Sequence, residues 1–174
     1  MSIVFFSIQS FAQEKYQTKS GTITFESSVP SFEEVKATNN KVTAILKDDG
    51  TIASLALTKA FRFKIALMEE HFNENYMESD KFPKATFSGK ISNFSINQLS
   101  TTAKEFELKG VLSIKGVSKE ITTTCFLTIK DNAIHLSSKF TTPPEGFNIT
   151  IPSIVRSKIA KEVDVSIEFE FTKK

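Results

Sequence analysis

The chain has 174 residues, 40% hydrophobic and 24% charged, which suits one globular domain with a real core and excludes a disordered polymer. Its net charge is +2 with both signs intermixed. That leaves no basic field for nucleic acid and no polybasic stretch for an anionic membrane surface. The single cysteine, Cys125, excludes an intramolecular disulfide, and 17 Phe beside 2 Tyr and no Trp suit a dry interior, because phenylalanine has no polar tip to satisfy.

The N-terminus carries an apolar run from Ile3 to Ile8, then the small residues Ser10 and Ala12. This is the pattern of a signal-peptidase site with cleavage after Ala12, although no Lys or Arg precedes the run. The expectation is a truncated signal peptide over 1–12, with its true start upstream, and a single domain over 13–174. The alternative is a buried first strand. No cysteine follows the run to take a lipid anchor, and no other segment is apolar enough to span a membrane.

Strand patterns then dominate. Ile23 and Phe25 alternate with Thr22, Thr24 and Glu26. Pro30 to Val35 allows a short helical turn capped by Ser31, with Glu34 three residues on. Asn39-Asn40 reads as a turn. Val42, Ala44 and Leu46 form one inward face, ending at Asp48-Asp49-Gly50, and Ala53, Leu55 and Leu57 form the next.

The stretch from Phe61 to Ile91 changes period in mid-run. Phe61, Phe63, Ile65 and Leu67 alternate as a half-buried strand. Met68, Phe72 and Tyr76 then recur at helical spacing among acidic residues, which predicts one amphipathic helix. Phe82-Pro83 breaks the chain, and Ala85, Phe87, Gly89 and Ile91 resume as a strand.

The later strands are cleaner. Phe106, Leu108, Gly110, Leu112 and Ile114 face one way; Lys115-Gly116-Val117-Ser118 is a candidate hairpin turn leading into the face Ile121, Cys125, Leu127 and Ile129. Cys125 reads there as a small core hydrophobe. After the turn at Asp131-Asn132 come Ile134, Leu136, Ser138 and Phe140. The loop from Thr141 to Ile154 holds the rigid turn Pro143-Pro144-Glu145-Gly146 and an edge strand through Phe147, Ile149 and Ile151. The last strand points Val163, Val165, Ile167, Phe169 and Phe171 inward.

About eight or more alternating strands with one main helix describe an antiparallel sheet that must hide one face, as a sandwich or a closed barrel. Gly89, Gly110, Ala44, Ala53 and Ser138 fall on apolar faces. In a barrel, such small residues ringed by Phe would leave a greasy tunnel. On that reading, Gly110→Leu blocks a ligand at little cost in stability.

Catalytic patterns are sparse. His135 lies on an outward strand face, and His71 has only Glu74 and Asn75 at helical ligand spacing, so neither makes a convincing metal site. No nucleophile elbow, phosphate-binding loop or dinucleotide fingerprint is present.

The block Met68 to Phe87, MEEHFNENYMESDKFPKATF, resembles the YceI-like polyisoprenoid-binding family, whose members carry a similar helix, an acidic and aromatic-Pro turn, and a strand ending in Thr-Phe. Gly110, Leu112, Ile114, Gly116 and Val117 resemble the family's Gly-x-Leu-x-Ile-x-Gly-Val segment. Gly146-Phe147-Asn148-Ile149 is similar to its Asp-Phe-Gly-Ile loop, and Val163 to Phe169 to its last strand. In place of the family's early His-Ser pair stand Lys19-Ser20-Gly21.

The resemblance implies an extended lipocalin-like antiparallel barrel, mainly β, with one main α-helix inserted between strands. It implies no cofactor beyond a bound isoprenoid or lipid-like chain, and a periplasmic or secreted protein, monomer or homodimer. The expected tunnel liners are Phe25, Phe63, Leu67, Phe72, Phe87, Ile91, Leu108, Leu112, Phe140, Phe147 and Phe169. Arg62, Arg156 and Lys158 are candidates for a polar head group. A non-enzymatic binding protein is expected. The rivals are an enzyme acting on a lipid-like substrate in the same barrel, with His71 the most available group, and a structural or stress-related protein with a filled core.

Overall fold

Alternating apolar residues need one dry face, and the chain satisfies this by curling its sheet until the edges meet. The computed structural model describes residues 14–174, so the expected signal peptide over 1–12 lies outside the described residues. The strands are β1 (Lys15–Glu26), β2 (Lys36–Lys47), β3 (Thr51–Leu57), β4 (Arg62–Phe63), β5 (Lys84–Ile91), β6 (Lys104–Ile114), β7 (Val117–Lys130), β8 (Ala133–Thr142) and β9 (Val163–Lys173), with one α-helix, α1 (Ala66–His71). They form one sheet in the order β1-β9-β8-β7-β6-β5-β3-β2-β4, and β1 also pairs with β2. That last pairing closes eight antiparallel strands into a barrel and leaves β4 as a short extra strand on β2. The barrel, rather than a sandwich, is the lipocalin-like architecture implied by the family resemblance.

Turn chemistry fixes the hairpins. Lys115 (φ 48°) and Gly116 (φ 77°) make the two-residue link between β6 and β7, and Asp131 (φ 52°) and Asn132 (φ 61°) the one between β7 and β8. Both carry positive φ at each central residue, the twist that matches paired strands. Each turn lies where the sequence predicts it.

Four local expectations are corrected. Ser31 has φ 74°, a left-handed conformation that cannot open a helix, and no helical turn forms over 30–35. Asn39-Asn40 is no turn but lies inside β2, where the pairing with β1 slips between Gly21 and Ile23. The buried Asn39 side chain donates to the Leu57 carbonyl (3.1 Å) and accepts from the Lys41 N–H (2.9 Å), which satisfies a polar group that would otherwise be costly inside. In β3 the inward face is Ile52, Ser54 and Ala56, so Ala53 and Leu57 point outward. The strand expected over Phe61 to Leu67 shrinks to Arg62–Phe63, because Ala66 already begins α1.

One end of the barrel is filled. Leu46, Ile91, Phe106, Leu127, Ile134 and Phe171 are buried there, with Phe94, Ile96 and Leu99 of the β5–β6 connection packed against them. The glycines expected to leave a gap instead seat a ring. Gly89 and Gly110 face each other across β5 and β6, and an added Cβ at Gly110 would lie 2.5 Å from the Phe87 ring and 2.5 Å from the Ser88 carbonyl oxygen. Gly110→Leu is therefore an overpacking change in any reading, and does not separate a tunnel from a filled core.

Cys125 is fully buried, and burial alone pushes its thiol up to about 12. The folded protein is expected to resist a disulfide-exchange reagent at pH 8 until denaturant is added; rapid native labelling overturns this. Because the folded value is raised, Cys125 contributes stability that is complete below the ordinary thiol range and is lost as pH climbs toward 12. Cys125→Ala should flatten that alkaline slope in urea melts while lowering stability at neutral pH.

Candidate functional site

The other end of the barrel is hollow. A cavity of about 630 Å³ runs between the sheet walls from the level of Ile52, Leu108, Leu136 and Phe169 up to the end where β4 and α1 sit. Its walls come from alternate positions on β1, β3 and β5 to β9, including Ile23, Leu112, Ile121, Phe140, Val165 and Ile167. The period of the strands thus supplies a continuous apolar lining.

Four phenylalanines gather at the open end. The Phe72 ring stacks on Phe25 (5.3 Å between centroids, 29° between planes) and packs against Phe63 (5.2 Å) and Phe61 (6.0 Å). Phe72 opens a five-residue π-turn, Phe72–Tyr76, closed by the Met77 N–H donating to the Phe72 carbonyl (2.8 Å). The segment is pinned at both sides. The Glu69 carboxylate accepts from Arg62 Nη1 (2.7 Å) and from the Phe63 N–H (3.1 Å), tying α1 to β4. Asn73 donates to the Glu69 carbonyl (2.9 Å) and accepts from the buried Ser79 hydroxyl (2.7 Å).

The loop after β8 forms another wall. Pro144–Phe147 is a 3₁₀ turn ended by Asn148 in the left-handed conformation (φ 54°), and it buries Phe147. The edge strand expected through Phe147, Ile149 and Ile151 does not form. Those three side chains face the cavity instead, followed by Val155 and Ile159. Lys115, from the β6–β7 turn, links loop and π-turn region: it bridges Glu78 (2.9 Å) and donates to the Asn148 carbonyl (3.2 Å). The same lysine holds the Glu78 carboxyl below its ordinary range, chiefly through the hydrogen bond.

Of the expected liners, Phe25, Phe63, Leu67, Phe72, Phe87, Leu108, Leu112, Phe140, Phe147 and Phe169 all border this one cavity. Leu67 does so from α1 rather than from a strand. Ile91 does not border it: it is fully buried in the filled end, one step deeper than the Phe87 ring on its glycine seat. Among the head-group candidates only Lys158 borders the cavity. Arg62 is bound to Glu69, and Arg156 donates to the Ile151 carbonyl on the outside of the loop (3.3 Å). His71, the polar group most available to the barrel interior on the sequence, does border the cavity; residues not anticipated are Phe32, Glu33, Met68 and Tyr76, besides wall positions such as Ile114 and Ile149. The wall positions could have been taken from the same alternation; Phe32 and Glu33 could not, because nothing local shows where their loop folds.

Polar chemistry along the cavity is thin. The charged or titratable side chains bordering it are Glu33, His71, Tyr76 and Lys158, all on loops or the helical segment rather than on the barrel strands. Among the described residues, no cluster of three His, Cys, Asp or Glu could hold a metal. What the arrangement can do is enclose an apolar body and leave its far end among a few polar groups.

Phe72→Ala removes the ring shared by the aromatic group. We expect a stability loss of about 2 kcal/mol, less than for a fully buried Phe, with faster amide exchange concentrated over 66–77. Uniform loss of protection across the barrel strands would contradict this placement.

The YceI-like domain profile matches residues 6–171 of the chain. Solved structures share the fold. A polyisoprenoid binding domain from Saccharophagus degradans, implicated in plant cell wall breakdown, is 11% identical, with 94% of this chain and 100% of that one covered and a TM-score of 0.81. BcnA from Burkholderia cenocepacia is 15% identical, with coverage of 87% and 96% and a TM-score of 0.72. The Campylobacter jejuni YCEI protein is 14% identical, with coverage of 100% and 91% and a TM-score of 0.58. At these identities the likeness shows the fold alone. No curated protein matches the chain.

Proposed function

We propose that this chain, which belongs to the YceI-like domain family, binds a long isoprenoid or similar lipid-like chain in its barrel cavity and stores, carries or sequesters it without chemical turnover. The observation that carries the reading is the cavity itself: about 630 Å³, walled by Phe, Ile, Leu and Val from most strands of the barrel. Removing apolar surface from water drives such binding at roughly 25 cal/mol per Å², before ordering costs. A preformed wall keeps those costs down, since the strands and the pinned π-turn need no folding on arrival. The polyisoprenoid-binding relative supports isoprenoids as the first class to test.

The tail would lie against Phe87, Leu108 and Phe169, with the head near His71 and Lys158. An enzyme would need polar groups converging on a reacting atom, and the four titratable liners sit around the open end instead. We further propose a periplasmic or secreted location, on the strength of the Ser10-Phe11-Ala12 pattern. N-terminal sequencing of exported protein should begin at Gln13; a mature chain retaining Met1 overturns export.

Native mass spectrometry of gently purified protein, with solvent extraction of what it holds, tests the binding reading directly. Extracted protein offered geranylgeraniol should gain about 2.7 kcal/mol of unfolding free energy at a hundredfold excess over Kd. Leu112→Trp, which fills the mid-cavity, should weaken uptake at least tenfold while leaving the ligand-free melting temperature within a few degrees. Protein that never carries a lipid and is not stabilised by the prenol sinks the proposal.

A further inference from the structure

Among the described residues, the large exposed apolar side chains fall into two sets. Ile45, Leu57, Val111 and Phe126 lie on outward strand faces, which is ordinary for a protein surface. Phe32, Leu67 and Ile154 differ, because two loops and α1 bring them to the open end of the barrel. Phe32 and Leu67 border the cavity while 48% and 57% exposed, and Ile154, 84% exposed, is the neighbour of the bordering Val155. The Ile154 segment is fixed to the barrel rim: the Ala160 N–H donates to the Ser27 carbonyl (2.9 Å), and the Ser27 hydroxyl donates to the Ala160 carbonyl (3.1 Å).

Charge on the loop around Ile154 is mainly positive. Arg156, Lys158 and Lys161 are all exposed, and the first acidic residue after Pro152 is Glu162, next to Lys161. Composition alone shows no polybasic stretch, but the fold sets these cations beside an outstanding isoleucine at a cavity mouth. Glu33 and Glu34 lie beside Phe32 on another loop and oppose this field locally. Apolar side chains that can enter an acyl boundary, flanked by cations that can meet anionic head groups, are the ingredients of interfacial lipid binding.

We infer that the mouth rim docks on an anionic lipid bilayer, with Ile154, Phe32 and Leu67 inserted and Arg156, Lys158 and Lys161 at the head-group level, so that cargo passes between membrane and cavity without crossing water. This rests on the lipid-binding reading above and names where the lipid comes from. A second protein or a second copy of the chain is the competing occupant. The three cations on the loop of the most exposed apolar residue, and its continuity with an apolar cavity, favour the bilayer.

The test is co-sedimentation of the full chain with vesicles of phosphatidylcholine containing a quarter phosphatidylglycerol, and with phosphatidylcholine alone, at low and high salt. Wild type should bind the anionic vesicles several-fold better, and salt should erase most of the difference. Ile154→Asp and Lys161→Glu, neither of which borders the cavity, should each lower the bound fraction at least threefold; Phe126→Asp on the outer sheet should not. Both rim variants should still load geranylgeraniol from detergent micelles, followed by thermal shift. Wild type that stays in the supernatant, or Ile154→Asp that binds vesicles as wild type does, overturns docking. A dimer that Ile154→Asp dissociates, without vesicle binding by either protein, overturns it in favour of a subunit interface. Failure of wild type to load the prenol from micelles tells against the cavity reading instead.

Discussion

Everything in this molecule depends on β1 being hydrogen-bonded along both of its edges. It pairs with β9 on one side and β2 on the other, and only this double pairing turns a nine-stranded sheet into a closed wall. An open sheet would expose two rows of unpaired amides and one greasy face. The closure is not smooth. The β1–β2 register slips between Thr18 and Gly21 and again between Gly21 and Ile23, and the β1–β9 register slips between Gln17 and Thr22. Irregularities of this kind bend a strand and raise its twist, which a barrel needs at its seam. Gly21 allows the bend and also makes room, since the Phe169 ring lies where its Cβ would be.

Once closed, the barrel is divided along its axis by side-chain size. Towards the β5–β6 connection, rings and branched chains meet across the lumen and fill it. Towards α1, the inward positions Ser54, Ala56 and Ala85 are too short to meet, and the space between them stays open. The Phe87 ring marks the boundary, laid over Gly89 and Gly110. The same alternating pattern therefore builds both a core and a cavity, and only the volumes along each strand decide which.

That explains what could and could not be read from the sequence. β9 was legible in full, because Val163 to Phe171 alternates without interruption and both faces are chemically distinct. The β6–β7 and β7–β8 hairpins were legible from turn residues that tolerate positive φ. The phase of β3 was not, because Ile52, Ala53, Leu55, Ala56 and Leu57 make both faces apolar and the smaller face turns inward. Asn39 was misread because a buried asparagine at a register slip looks like a turn residue until its two hydrogen-bond partners are brought up by other strands. The same limit applies to the cavity. Alternation gave the facing of Phe25, Leu112 and Phe140, but depth comes from pairing across the barrel, so Ile91 could not be told from Phe87. Arg62, flanked by the cavity-facing rings of Phe61 and Phe63, is held by Glu69 from the next turn of chain.

The filled end has a kinetic side. A lipid held in a pocket with one opening can leave only by the path it entered, and a successor cannot push it from behind. Exchange would then be single-file and unimolecular at its slow step. The release rate would be independent of how much competing lipid waits outside, and would be set by how readily Phe72 and its neighbours part. In a barrel open at both ends, the same walls would hold the lipid equally well but let an incoming chain drive out the old one.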